Sequence, residues 1–321
     1  MKAIVWDKLE NDVILKYHQS LLYNDVVLKN YQFTESTISY YQAYFGDEYL
    51  NETIIIFENF EPIMVCYAYS KQNCFSFFND SIAILALKLN AEQAFLAYKT
   101  FLIKLDEIIK QKNIKNIKWK SDCFLNAHLL AENTKFKIEQ KSIVNLEIDE
   151  TTIFSRLRKS YKSFVNWGRK NLVLIVINTD NSNEILFNDF RALHIEVAGK
   201  QTRSDLTWQI QWDAIKKNEA FLILCYLNDK LVGGSYILLG KQIAYYGVAA
   251  YNRELMAEKM PLGHYNIYSA ILICKELGLQ YFDIGSIFNN NDDTKENDIF
   301  YFKKGFANII EIISNLENNN E

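Results

Sequence analysis

The 321-residue chain has only two prolines, five cysteines and four histidines. With no proline near 145–155 and no low-complexity stretch, nothing reads as a flexible linker, so two closely packed halves are expected rather than beads on a string. The cysteines (Cys66, Cys74, Cys123, Cys225 and Cys274) form no CxxC pair, and three sit in apolar stretches. That excludes a zinc ribbon or a disulfide framework and leaves reduced core thiols. His18, His128, His194 and His264 are equally dispersed, none paired at ligand spacing, so no metal site is expected. No apolar run reaches the roughly 18 residues of a membrane helix, since Asn228, Asp229 and Lys230 interrupt the most apolar region. Asp7, Glu10 and Asp12 stand where a signal peptide would be apolar, and a cytoplasmic protein without a membrane span is expected. A basic excess is also missing. The net charge of -4 argues against a surface for DNA or other long nucleic acid, while compact acidic partners stay open.

What the chain does have is apolar material for real cores, at 49% hydrophobic residues, and length for two domains. An early strand is followed by a short helix that Thr34 or Ser36 can cap. Three β-rich runs between 53 and 78 then read as an antiparallel meander. Ala94, Phe95, Tyr98, Phe101, Leu102, Leu105, Ile108 and Ile109 recur at helical spacing and predict one long helix over 91–111, with a strand at 114–118 directly after it. A shorter helix around 123–131 and a strand over 142–148 complete this half.

The second half opens on one capped, strongly basic helix over 151–171. A strand at 172–177, helices near 183–198 and 205–217, and β runs at 221–227, 231–239 and 242–250 follow, with Asn228-Asp-Lys as a hairpin turn. Residues 261–285 then form a loop, helix and strand unit, in which Pro261-Leu-Gly opens the helix, Gly278 closes it, and a strand ends in Asp283 and Gly285. A helix N-terminus of this kind suits an anionic ligand. The order of elements over 53–118 recurs at 221–284, with Asn59-Phe-Glu-Pro answering Asn228-Asp-Lys, which suggests an internal duplication. The boundaries expected are a supporting domain at 1–149 and a catalytic domain at 150–321.

Five segments in one order carry a resemblance: Arg158-Lys-Ser-Tyr-Lys-Ser-Phe-Val-Asn-Trp-Gly-Arg-Lys, Gly233-Gly-Ser-Tyr, Tyr245-Tyr-Gly, Leu262-Gly-His-Tyr through Tyr281-Phe-Asp-Ile-Gly, and Phe302-Lys-Lys-Gly-Phe. Together they resemble the GNAT acyltransferase superfamily, in particular its FemABX-like and CelD-like branch. The resemblance is best over 150–310. It implies an α/β (α+β) tandem GNAT-like fold, two mixed sheets flanked by helices, with a degenerate first copy. It also implies N-acyl transfer, in which an amine attacks a thioester or aminoacyl ester without a covalent enzyme intermediate. One departure stands out. The Arg/Gln-x-x-Gly-x-Gly/Ala loop that holds coenzyme A pyrophosphate in ordinary GNAT enzymes is replaced by Lys259-Met-Pro-Leu-Gly-His.

Carried onto this chain, the resemblance implies that Lys303 polarises the acyl carbonyl, with Lys304 as fallback; the alternative is a solvated basic pair. Asp283 is a general base or amine-positioning group, or else a carboxylate that caps the next turn. Tyr246 and His264 are candidates for proton transfer, and the neighbouring Tyr245 flanks the same crevice. Val248, Leu262, Gly263, His264, Tyr265 and Asn266 are the expected donor-binding residues. Arg158, Lys162 and Tyr161 on the basic helix, with Lys200, Arg203 and Lys304, are the expected substrate-binding set, the alternative for the helix being a solvated amphipathic face. The expected reaction moves acetyl from acetyl-CoA to an amine of an amino sugar or nucleotide-linked cell-envelope glycan precursor, with no metal. Two alternatives are aminoacyl-tRNA-dependent cross-bridge formation, with tRNA as partner, and a non-catalytic binding protein. An oligomer is compatible with all three.

Overall fold

The computed structural model describes residues 1–5, 34–48, 50–81, 84–86, 89–121, 134–288 and 294–319. The helix expected around 123–131, Cys123, His18 and His128 lie outside them. The chain divides into two compact units: Met1–Leu28, Phe45–Glu139 and Ile312–Glu321 in the first, Lys29–Tyr44 and Gln140–Glu311 in the second. This differs from a single cut at 149/150. Residues 29–44 go with the second unit, because α1 (Glu35–Phe45) is tied there by a hydrogen bond from the Ser36 N–H to Glu219 (3.0 Å) and an ion pair of Glu35 with Lys217 (3.1 Å). Contacts between segments so distant in sequence leave no local pattern to read.

In chain order, the elements up to Asn145 are β1 (Lys2–Val5), α1, β2 (Leu50–Asn51), β3 (Ile54–Glu58), β4 (Glu61–Cys66), β5 (Ala68–Lys71), β6 (Cys74–Ser81), β7 (Ile84–Ala86), α2 (Ala91–Lys112), β8 (Asn116–Ser121) and β9 (Thr134–Asn145). The β3–β4 hairpin turns on Asn59 and Phe60, both at positive φ, the geometry of a two-residue turn that matches strand twist. The expected meander is split between two sheets. β4 stays with β1, β3 and β7, while β5 and β6 leave it after Tyr67. α2 starts on a capping box of Asn90 and Gln93 and ends on Asn113 in the left-handed region. Its Ala97, Phe101 and Ile108 are buried.

After Asn145 come α3 (Glu150–Arg156), α4 (Lys159–Asn171), β10 (Val173–Ile177), α5 (Glu184–Ala198), α6 (Asp205–Lys216), β11 (Ala220–Leu227), β12 (Lys230–Leu239), β13 (Ile243–Tyr251), α7 (Arg253–Ala257), α8 (Leu262–Glu276), β14 (Tyr281–Phe288) and α9 (Thr294–Lys304), all in the second unit, and then β15 (Ile309–Asn319), most of which belongs to the first. The helix expected over 151–171 is two helices. Leu157 is extended and buried, and the Arg158 N–H donates to the Gly305 carbonyl (3.0 Å) instead of continuing the first helix. The β11–β12 hairpin turns on Asn228 and Asp229, again both at positive φ, so the two hairpins that suggested duplication share one turn geometry.

β10 to β13 form an antiparallel meander, and β14 joins β13 in parallel after the α8 crossover. Alternation along the strands sorts the core into two layers. Phe221, Ile223, Ile237, Ala244 and Phe282 face α4 and α8, in one cluster with Val165, Ile267 and Ile271. Leu222, Leu224, Tyr236 and Val248 face α5 and α6, in a cluster with Phe190, Trp208 and Trp212. Each such side chain contributes roughly 1.5–3 kcal/mol on burial.

Candidate active site

The β13–β14 ladder runs through Ile243↔Tyr281, Ala244↔Phe282 and Tyr245↔Asp283 and stops there, although β13 continues to Tyr251 and β14 to Phe288. β13 also carries a bulge. Tyr236 faces Val248 and Ile237 faces Tyr246, leaving Gly247 without an opposite residue. Two parallel strands that part in this way open a crevice beyond the carboxyl end of their shared ladder.

Asp283, 1% exposed, sits at the last rung. Its Oδ1 accepts the Gly285 N–H at 2.7 Å. Oδ2 lies 3.1 Å from Lys141 Nζ on β9, a charge contact whose angle does not suit a directed hydrogen bond. Oδ1 is therefore committed to the turn, while Oδ2 faces the Lys141 ammonium. The Oδ1 contact is the one that the capping alternative expects, and Lys141 is a neighbour of this candidate site that the sequence did not single out. Gly285 has φ +96°, and a Cβ there would come within 2.7 Å of Lys303 Nζ and 3.5 Å of the Tyr245 hydroxyl. The absence of a side chain thus lets the Lys303 ammonium and the Tyr245 phenol approach one point of β14 where the strands part.

Lys303 is half-buried in the last turn of α9, whereas Lys304 is exposed with Nζ 5.5 Å from the Phe300 ring. Three contacts fix that turn. The Arg158 guanidinium donates to the Tyr301 carbonyl (2.6 Å) and lies 3.4 Å from the Tyr301 ring centre. The Tyr161 hydroxyl donates to the Phe302 carbonyl (3.1 Å) and accepts from Arg158 (3.1 Å). Burial pushes the Tyr161 phenol up to about 12, so it stays a proton donor. Gly305 lets the Tyr161 ring close in, since a Cβ would meet that ring at 2.2 Å. Arg158 and Tyr161, expected to bind substrate, are thus engaged in docking the turn that carries Lys303. Lys162 is half-buried on the same helix and Lys200 is exposed after α5.

The expected donor residues separate. His264 sits in the first turn of α8, its ring centre 4.5 Å from Tyr161, 4.8 Å from Phe164 and 5.2 Å from Phe302. Burial in this aromatic box lowers its pKa to about 4, so it is neutral at pH 7 and a poor proton carrier. Asn266 is fully buried and points inward. Its Oδ1 accepts from Ser235 and from the Tyr251 hydroxyl (3.2 Å), and its Nδ2 donates to the Ile223 carbonyl (3.2 Å) and Cys225 Sγ (3.0 Å). Tyr246 extends this network through Tyr251 at 3.1 Å. Val248 packs on the opposite layer, Leu262 is core, Gly263 lies beneath the Tyr251 and Phe302 rings, and Tyr265 packs against the α4 side. At the helix start, the Leu262 and His264 N–H groups already donate to the carbonyls of Met260 (3.0 Å) and Pro261 (3.3 Å). An anion there would find fewer open donors than the sequence suggested.

A cavity of about 250 Å³ lies on the α5–α6 side of the sheet, lined by α1, α6 and the sheet strands and including Arg203, Gln211, Tyr236 and Tyr245. Arg203, expected among the substrate-binding residues, lines this cavity, and Tyr245 belongs both to it and to the Gly285 point. Among the described residues, no helix is long and apolar enough to cross a membrane, and no group of three or more His, Cys, Asp and Glu could hold a metal ion.

No protein-family model matches the chain, and no curated protein sequence does. Solved structures do. FemX aligns with a TM-score of 0.65 at 13% identity, covering 98% of this chain and 97% of FemX. A C-terminal domain assigned to a lysylphosphatidylglycerol synthetase from Agrobacterium fabrum aligns at 0.61 and 8% identity, covering 95% and 92%. A tandem GNAT protein from the clavulanic acid biosynthesis pathway aligns at 0.51 and 8%, covering 98% and 97%. Likeness along nearly the whole length at such low identity identifies a shared fold: this chain has the fold of FemX and of the tandem GNAT protein.

Proposed function

We propose that this protein is an N-acyltransferase whose reaction centre is the point where β13 and β14 part. The observation that carries the proposal is the Lys303 ammonium held over Gly285 beside the Tyr245 phenol. In this reading an acceptor amine attacks the carbonyl carbon of an activated acyl donor, and the π electrons move onto the carbonyl oxygen. Lys303 stabilises that oxyanion, a role worth about 3–4 kcal/mol for one preorganised donor. The tetrahedral intermediate collapses with loss of the donor's thiolate or alkoxide, which takes up the proton that the amine gives up. Tyr245, whose hydroxyl would lie 3.5 Å from a Cβ at Gly285, is the phenol placed to pass it. Asp283 acts as a positioning residue that holds the Gly285 turn and Lys141.

The donor is more consistent with an aminoacyl ester than with acetyl-CoA, because two N–H groups at the start of α8 are already used and Arg158 is tied to α9. The likeness to FemX and to the synthetase domain supports the same direction. Acetyl-CoA with an amino-sugar acceptor is the second reading, favoured by the chain's net charge of -4, which does not suit a tRNA surface. Incubating the protein with amine acceptors and either acetyl-CoA or charged tRNA, and detecting the amide by mass spectrometry, tests the proposal. A product with charged tRNA supports the first reading and one with acetyl-CoA the second. No amide from either donor would leave a non-catalytic binding protein.

A further inference from the structure

Arg203 presents an unusual electrostatic situation. Its Nε donates to the Tyr40 hydroxyl (2.8 Å), and its Nη1 meets His194 Nε2 (2.9 Å) and Thr202 Oγ1 (3.2 Å). All three partners are neutral. Burial, with the guanidinium beside it, lowers the His194 pKa to about 4, so this imidazole accepts from Arg203 and brings no compensating charge. Among the described residues no carboxylate forms an ion pair with Arg203. A half-buried cation fixed by neutral groups at a cavity wall keeps its charge for whatever enters.

The same cavity is lined by Gln211, itself only 5% exposed, whose side-chain oxygen is buried with no hydrogen-bond partner. A buried acceptor left open costs free energy until a donor meets it. The tyrosines of α1, with Tyr40 and Tyr44 stacked at 5.9 Å, supply apolar walls with polar tips. At about 250 Å³ the cavity is smaller than the roughly 300–1,000 Å³ of pockets for drug-sized ligands, which limits the occupant to a group the size of an amino acid or a single sugar.

We infer that this cavity is the acceptor subsite and that it selects a compact amine bearing an anionic group, with the anion on Arg203, an N–H or O–H on Gln211, and the nucleophilic nitrogen directed toward Tyr245. This deepens the acyl-transfer reading and rests on it for the word acceptor; the anion selectivity stands on the cavity alone. The shared chemistry is the anion, whether it comes from a carboxylate or a phosphate.

The test is calorimetric binding of two matched pairs to the full chain: 6-aminohexanoate against its amide, and glucosamine 6-phosphate against glucosamine. In at least one pair the anionic member should bind about tenfold or more tightly, as a charged hydrogen bond allows. The pair that discriminates identifies the source of the anion. Arg203→Gln should abolish that preference, and Arg203→Lys, which keeps the positive charge, should restore part of it, showing that lost charge and not lost folding explains the first variant. Lys303→Met should leave binding within a few-fold, which separates this inference from the catalytic one. Charge selectivity that persists in Lys303→Met without any amide formed by the wild type would refute acyl transfer and keep the subsite. Equal binding of both members in both pairs, or a preference unchanged in Arg203→Gln, would overturn the inference.

Discussion

Replacing Gly285 with Ala probes the centre with a single methyl group. The backbone there has φ +96°, a region costly for any side chain, and the substitution should destabilise the protein by about 1–3 kcal/mol. For a protein of this size that corresponds to a melting shift of roughly 1–5 °C. The new Cβ would also stand 2.7 Å from Lys303 Nζ, the far end of a flexible side chain, which can swing away more cheaply than the backbone can move. Folding should therefore survive while the ammonium is displaced by an ångström or more. Misplacement on that scale costs on the order of a hundredfold in turnover. The assay is amide formation at saturating donor, alongside thermal unfolding of the same preparation. In the Gly285→Ala, Lys303→Met double variant the activity losses should not multiply, since both act on one group. A Gly285→Ala protein with wild-type turnover would refute the reasoning, and so would losses that multiply.

Three further outcomes follow from the same geometry. Tyr161→Phe, which removes the donor to the Phe302 carbonyl, should lower stability by about 1 kcal/mol and reduce turnover with little change in KM, read by unfolding and steady-state kinetics. Lys141→Met leaves the buried Asp283 carboxylate without its cation and should cost about 2–4 kcal/mol by denaturant unfolding, with partial recovery when Asp283→Asn is added. His194 and His264 both have pKa values lowered to about 4, below the ordinary value of 6.5. The unfolded chain therefore binds the extra protons, and the stability from keeping these rings neutral is present above pH 6.5 and lost as pH falls toward 4, on the order of 1–3 kcal/mol per ring once residual exposure is allowed for. Melting temperatures across that range should drop, and His264→Phe, which keeps an aromatic ring in the box, should flatten the drop.

Much of this was legible because it is local. Pro261 and Gly278 bracket α8, Asn228-Asp229 forces the hairpin, and the apolar spacing of α2 sets its length to within a residue or two. Lys303 could be singled out from its motif, and Asp283 and Gly285 from their position after a helix and strand. What stayed hidden depends on neighbours distant in sequence. Lys141 acquires meaning only when β9 brings it to Asp283, and the tyrosines of α1 only when Glu219 and Lys217 hold that helix to the second unit. The inward placement of Asn266 has a geometric reason. It follows Leu262 by one helical turn, so it shares that residue's inward face and bonds to β11 and β12 rather than to a ligand. The packing of the basic helix was hidden for the same reason as Lys141, since Arg158 donates to the Tyr301 carbonyl near the end of α9.

The central claim is that Lys303, and not its exposed neighbour, stabilises the charge that develops on the acyl oxygen. The most direct measurement is single-turnover amide formation by the wild type, Lys303→Met and Lys304→Met under identical donor and acceptor concentrations, with folding checked by circular dichroism. Lys303→Met should be slower by roughly 10²–10³-fold, with Lys304→Met within a few-fold of wild type. Comparable rates for wild type and Lys303→Met, or a larger loss in Lys304→Met, would contradict the account.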